Sequence, residues 1–150
     1  MYTHVAKCTG NFIRVPPAPE PLEVRLPVVV AKKEASFLFA QEKNLPEIPE
    51  GIKKIETSLQ SSKFVVIKGY VIFEITASQD VYYIFRDMVK LFTAPCFFTG
   101  SVPVPEAREG MEVIPRISVG IYYTNSGARI SEQVLISIGL QCIEYRNVFI

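Results

Sequence analysis

Apolar side chains recur at every second position over the last third of the chain. Met111, Val113, Ile117, Val119, Ile121 and Tyr123 form one run, and Ile130, Glu132, Val134, Ile136, Ile138, Leu140 and Cys142 continue it after a break. Successive side chains of a strand point to opposite faces, so each run lines one face of a strand. Between them Thr124, Asn125, Ser126, Gly127 and Ala128 supply turn chemistry, because Asn and Gly tolerate positive φ. The pattern predicts a long β-hairpin whose apolar face must be covered by a second sheet or a partner chain.

The same period appears earlier. Leu22, Val24, Leu26, Val28 and Val30 alternate, and Pro27 within that run predicts an edge strand or a break. Residues 35–40 read as a second short strand, and residues 45–51 as a loop by their prolines and glycine. Residues 52–59 fit a helical stripe and a strand equally. Residues 63–75 are apolar on both faces, which predicts a central strand pair or one strand kinked at Gly69. Residues 81–92 read as strand by their β-branched and aromatic content, although Val81, Phe85, Met88 and Phe92 also fit a helical stripe. Pro95, Pro103 and Pro105 bracket a short strand at residues 96–99, and residues 106–110 form a turn into the last hairpin. The fold class is all-β, an antiparallel β-sandwich with an extended N-terminal arm.

That arm is residues 1–21. Phe12, Ile13 and Val15 form a short apolar stretch, followed by Pro16, Pro17, Pro19 and Pro21. Such a cluster favours polyproline II and makes a stiff spacer. The sandwich occupies residues 22–146, and residues 147–150 are an apolar tail that includes Val148, Phe149 and Ile150.

Composition narrows the function. With 49% hydrophobic and 21% charged residues the body is folded, not disordered. A net charge of +1 leaves no basic stripe for nucleic acid and little self-repulsion against association. No apolar run approaches the ~18 residues that span a bilayer, so no membrane insertion is expected. The N-terminus has no basic segment followed by an apolar core, so no secretory signal is read.

Candidate chemistry is sparse. The single histidine, His4, lies near the end of the arm, where nothing packs it as a general base. No residue marks a nucleophile, and no glycine loop cradles phosphate. Glu74, Asp80 and Asp87 read as surface carboxylates, with Asp80 in a turn at residues 78–80. Tyr82–Tyr83 and Tyr122–Tyr123 each offer one inward and one outward ring. Cys96 and Cys142 read as small buried hydrophobes, and no Cys pair has zinc spacing. Cys8, in the arm, is the candidate for an intermolecular disulfide. No catalytic, cofactor-binding or metal residue is expected.

Several segments, in this order, resemble the SPOCS domain of spore-forming Firmicutes. They are Leu26-Pro27-Val28-Val29-Val30-Ala31, Leu45-Pro46-Glu47-Ile48-Pro49, Gly51-Ile52-Lys53-Lys54-Ile55, Val66-Ile67-Lys68-Gly69-Tyr70-Val71 and Val104-Pro105-Glu106-Ala107-Arg108-Glu109-Gly110-Met111. The likeness covers residues 22–145 and departs from the family pattern at Thr76-Ala77 and over residues 88–92. It implies a non-enzymatic protein of the spore envelope, made in the mother-cell cytoplasm and placed on the spore surface as coat, exosporium or appendage. The apolar material at both ends points to a homo-oligomer or polymer, with other spore envelope proteins as further partners. Phe12, Ile13, Val15, Val148, Phe149 and Ile150 are the expected assembly contacts. The alternative is a monomeric sandwich that recruits a spore morphogenetic protein or a glycan.

Overall fold

The computed structural model describes residues 22–149, together with the backbone at residues 6–7 and 13–14. The strands are β1 (Ala6–Lys7), β2 (Ile13–Arg14), β3 (Glu23–Asn44), β4 (Gly51–Ile67), β5 (Tyr70–Phe85), β6 (Met88–Pro103), β7 (Glu112–Ser126) and β8 (Arg129–Phe149). There is no helix among the described residues. Two three-stranded antiparallel sheets, ordered β3-β8-β7 and β4-β5-β6, pack against each other as a sandwich. The antiparallel sandwich expected from the periodicity is the fold.

The chain divides into two compact units, Val28–Glu144 and a smaller one of Met1–Pro27 with Tyr145–Ile150. In the smaller unit β1 and β2 pair antiparallel, with Ala6 opposite Arg14 and Lys7 opposite Ile13. The Arg25 guanidinium lies 5.3 Å from the centre of the Tyr145 ring. Apart from those two short strands, the arm and its Cys8, Phe12 and Val15 lie outside the described residues, as does Ile150. Val148 and Phe149 are the end of β8, where a separate tail was expected.

The strands are longer than the sequence suggests because proline does not break an edge. Pro27 lies within β3, Pro95 within β6 and Pro115 within β7, and all three strands are sheet edges. An edge strand has one side without a ladder, where a missing N–H costs nothing. The central strands β5 and β8 carry no proline. Thus the two short runs expected at residues 22–30 and 35–40 are one strand of 22 residues. Residues 52–59 are strand, within β4.

Three tight hairpins set the register. Gly69 (φ +82°) turns β4 into β5, with Ile67 opposite Tyr70. Gly127 turns β7 into β8, with Ser126 opposite Arg129, where the turn chemistry predicted it. The β5–β6 turn is Arg86-Asp87, both at positive φ (50° and 60°), which is the backbone of a type I′ turn. The turn expected at residues 78–80 is therefore misplaced. Ser78, Gln79 and Asp80 are inside β5, where Gln79 is fully buried and Asp80 accepts a hydrogen bond from Thr93 Oγ1 at 2.8 Å.

The core follows one parity of each strand. Val71, Phe73, Ile75 and Ala77 of β5 meet Val134, Ile136, Ile138 and Leu140 of β8, with Cys96, Phe98 and Val102 of β6 beside them. Phe37 of β3 packs on Phe73 at 4.9 Å between ring centres, and Phe39 on Phe98 at 5.1 Å. These tilted pairs join the two sheets. Gly100 faces Phe73, and a Cβ there would stand 2.6 Å from the ring's Cζ, so the close approach requires glycine. The β6–β7 connection is tied to the first hairpin by Gly69 N–H to Ala107 O and Val104 N–H to Gly69 O, each 2.9 Å.

Candidate functional site: an open strand margin and a buried polar cluster

Within the two three-stranded sheets, four strands have a hydrogen-bonded neighbour on one side only: β3, β4, β6 and β7. Exposed edges template strand addition, and proteins block them with charge, proline or bulges. β3 carries Lys32, Lys33, Glu34 and Glu42. β4 carries Lys53, Lys54, Glu56 and Lys63, and its register shifts twice. β6 carries Lys90, Pro95 and Pro103. β7 has Pro115 and Arg116 near its start, but residues 117–126 contain neither a charge nor a proline.

That stretch of β7 is also poorly covered on its inner face. Val113, Ile117, Val119 and Ile121 are all half-buried, whereas Cys96, Phe98 and Val102 of β6 are buried. On the outer face Tyr122 is 70% exposed. Tyr123, expected to alternate inward, is exposed as well, because its slot opposite Glu132 lies at the sandwich margin. A shallow groove of about 880 Å³ runs here, lined in part by Glu42, Tyr122, Thr124 and Gln133. Tyr82 and Tyr83 alternate as expected: Tyr83 is buried, and Tyr82 receives Lys54 Nζ at 4.7 Å from its ring centre.

Of the contacts expected at the C-terminal end, Val148 (37%) and Phe149 (67%) are exposed. The N-terminal ones fall on residues whose side chains are not described.

The second feature lies between the sheets. Lys43 of β3, Glu132 of β8 and Gln79 of β5 are buried. Lys43 Nζ stands 3.3 Å from Glu132 Oε1 and 3.4 Å from Cys96 Sγ. Gln41 Nε2 donates to Glu132 Oε2 at 2.9 Å, and lies 3.4 Å from Gln79 Oε1 and 3.5 Å from Cys96 Sγ. Gln79 Nε2 donates to Thr57 Oγ1 at 3.3 Å, which brings in β4. Glu132 Oε1 faces the lysine but has no hydrogen-bond partner among the described residues. Desolvating such a pair is costly, and removing one member of a buried pair typically costs about 3–5 kcal/mol.

The sequence reading missed this cluster, but it left a signal. Glu132 stands on the apolar parity of its run. Gln41 and Lys43 continue the parity of Phe37 and Phe39, and Gln79 that of Ile75 and Ala77. Polar residues on the inward parity of three strands mark a polar core.

A third polar group clamps the loop before β4. Glu47 Oε1 pairs with Lys90 Nζ at 2.5 Å, and Tyr83 Oη donates to Glu47 Oε2 at 2.8 Å. The hydrogen bond from Lys90, aided by that from Tyr83, holds the Glu47 carboxyl below the usual range. Burial first, and then Glu47, pushes the Tyr83 hydroxyl upward. Cys96 and Cys142 are both buried and free, and burial, with a smaller part from Glu106, raises the Cys142 thiol. Glu74 and Asp80 lie within β5, and Asp87 sits in the β5–β6 turn. No cluster of three or more His, Cys, Asp or Glu side chains suited to a metal occurs among the described residues.

No protein-family model, no curated protein and no solved structure matches this chain.

Proposed function

We propose that this chain is a non-enzymatic structural subunit of a spore-associated layer or filament, assembling with copies of itself through strand contacts. The observation that carries the reading is the margin of β7, where residues 117–126 form an edge with neither charge nor proline beside half-covered apolar side chains. An extended segment of a neighbouring copy adds to such an edge by backbone hydrogen bonds, while alternate side chains fill the uncovered positions. Candidate donors are the stretch with Phe12, Ile13 and Val15, and the end of β8 with Val148 and Phe149. Donation by one end to a distant edge is heterologous, so it propagates into a filament unless it closes into a ring. Cys8 then lies close to the contact, where an oxidising environment locks it. The spore setting comes from the resemblance to the SPOCS domain.

A second reading, a monomeric module that recruits a morphogenetic protein or a glycan, is favoured by the groove beside Tyr122 and Tyr123. Electron micrographs and light scattering of the purified chain separate the two. Filaments or sheets that disperse on removal of residues 1–21 support the subunit. A monodisperse monomer that binds a partner saturably supports the module.

A further inference from the structure

The buried cluster stands apart from assembly, and its atoms are arranged for chemistry. A lysine and a glutamate are held in contact in the interior, away from water. The glutamate oxygen nearest the amine has no hydrogen-bond partner among the described residues, and the side-chain exposures are 8% for Lys43 and 0% for Glu132. Replacing an ion pair so placed by well-packed apolar side chains is often neutral or stabilising, so its presence asks for a use. We propose that Lys43 and Glu132 condense to an intramolecular isopeptide bond that joins β3 to β8.

The geometry supplies each requirement. Nζ and Oε1 are 3.3 Å apart, and the carboxyl carbon is one bond beyond Oε1, so the two reacting groups are already in contact. Attack needs a free amine, formed when the ammonium gives one proton to the facing Oε1. The amine lone pair then attacks Cδ. Gln41 Nε2, 2.9 Å from Oε2, stabilises the negative charge that develops on that oxygen. Cys96 Sγ, 3.4 Å from Nζ, accepts another N–H of the amine and holds it in place. A second proton passes from nitrogen to Oε1, the Cδ–Oε1 bond breaks, and one water leaves. Carboxylate plus ammonium becomes secondary amide plus water, with no oxidant or cofactor. The product removes two buried charges, and exclusion of water opposes its hydrolysis.

The test is the intact mass of the folded full-length protein after denaturation and reduction. The expected mass is that of the sequence less one water, and proteolysis yields one branched species joining the Lys43 and Glu132 peptides. Lys43→Arg keeps the charge and the donors but removes the nucleophilic amine, so this variant has the full sequence mass. Circular dichroism checks that it is folded. If it is not, the double variant Lys43→Met/Glu132→Met, which replaces the pair by apolar side chains, takes its place. A wild-type protein at full sequence mass overturns the proposal. So does a water deficit that survives in either variant or maps to other residues. In a parallel unreduced sample, a gain of one oxygen with loss of two hydrogens, the signature of an oxidised Lys43–Cys96 link, also overturns it.

Discussion

β6 and β7 are both edge strands, and both descend from the same alternating pattern, yet they end differently. β6 is pinned inward by Cys96, Phe98 and Val102, all buried, and its outer rim is broken by Pro95 and Pro103. β7 is held by half-buried residues, and its rim runs from Ile117 to Ser126 without a guard. The outward side chains make the contrast sharper. Phe97 on β6 is as exposed as Tyr122 on β7 (71% and 70%). Exposed aromatic surface alone therefore does not distinguish the two edges; the continuity of the backbone rim does. A proline lacks the N–H that a partner strand needs, so an apolar side chain beside it has no ladder to follow.

The largest effect expected from this difference is on assembly. Ser118→Lys with Tyr122→Lys puts two charges on the outer face of the β7 rim. Light scattering should show assemblies replaced by monomers. The mirrored change on β6, Phe97→Lys, should leave the assemblies intact. Each substitution lies on an exposed position, so thermal stability should move by no more than about 0.5 kcal/mol. Equal dispersal by both would mean that general charge, and not the β7 rim, governs association.

Stability should reverse the order. Phe98→Ala removes a fully buried ring that packs on Phe39, and should cost about 3–5 kcal/mol in denaturant unfolding. Ile117→Ala removes a half-buried side chain on β7, and should cost less than about 2 kcal/mol, below the range for fully buried sites. Equal losses at the two positions would show that the β7 margin is as well packed as β6, and would remove the physical reason for its openness.

Much of this fold was legible. The β7–β8 hairpin follows from its period, because β8 buries one face from Ile130 to Cys142 and a slip by one residue would expose it. Its turn follows from Gly127. The β5–β6 turn was hidden, because Arg86-Asp87 contains neither glycine nor proline; Asp tolerates the left-handed region, but arginine gives no warning. Strand length was hidden too, since Pro27, Pro95 and Pro115 look like stops until the strands are known to be edges. The buried cluster was hidden for a different reason. Alternation was read as apolar against polar, and Glu132, Lys43 and Gln79 are polar residues in apolar slots. Their pairing partners lie on other strands, at separations no local pattern reports.

The smallest effect concerns the clamp on the β6 side. Tyr83 is buried and donates to Glu47, which also pairs with Lys90 of β6. Tyr83→Phe keeps the ring and removes the hydroxyl, and should cost about 1 kcal/mol, the net contribution of a typical hydrogen bond. The pH dependence has two arms of opposite sign. Glu47 is held below its ordinary range when folded, so its contribution is present above the unfolded value and is lost as pH falls through the folded one. Tyr83 is raised, so its contribution is full below the ordinary tyrosine range and is lost as pH climbs through the folded value. In the Tyr83→Phe variant the alkaline loss should shrink, while part of the acid loss persists through Lys90. Unfolding curves from acid to alkaline pH measure both arms. An alkaline limb unchanged by the substitution would mean that Tyr83 does not carry it, and that the clamp contributes no more to β6 than the bare margin gives β7.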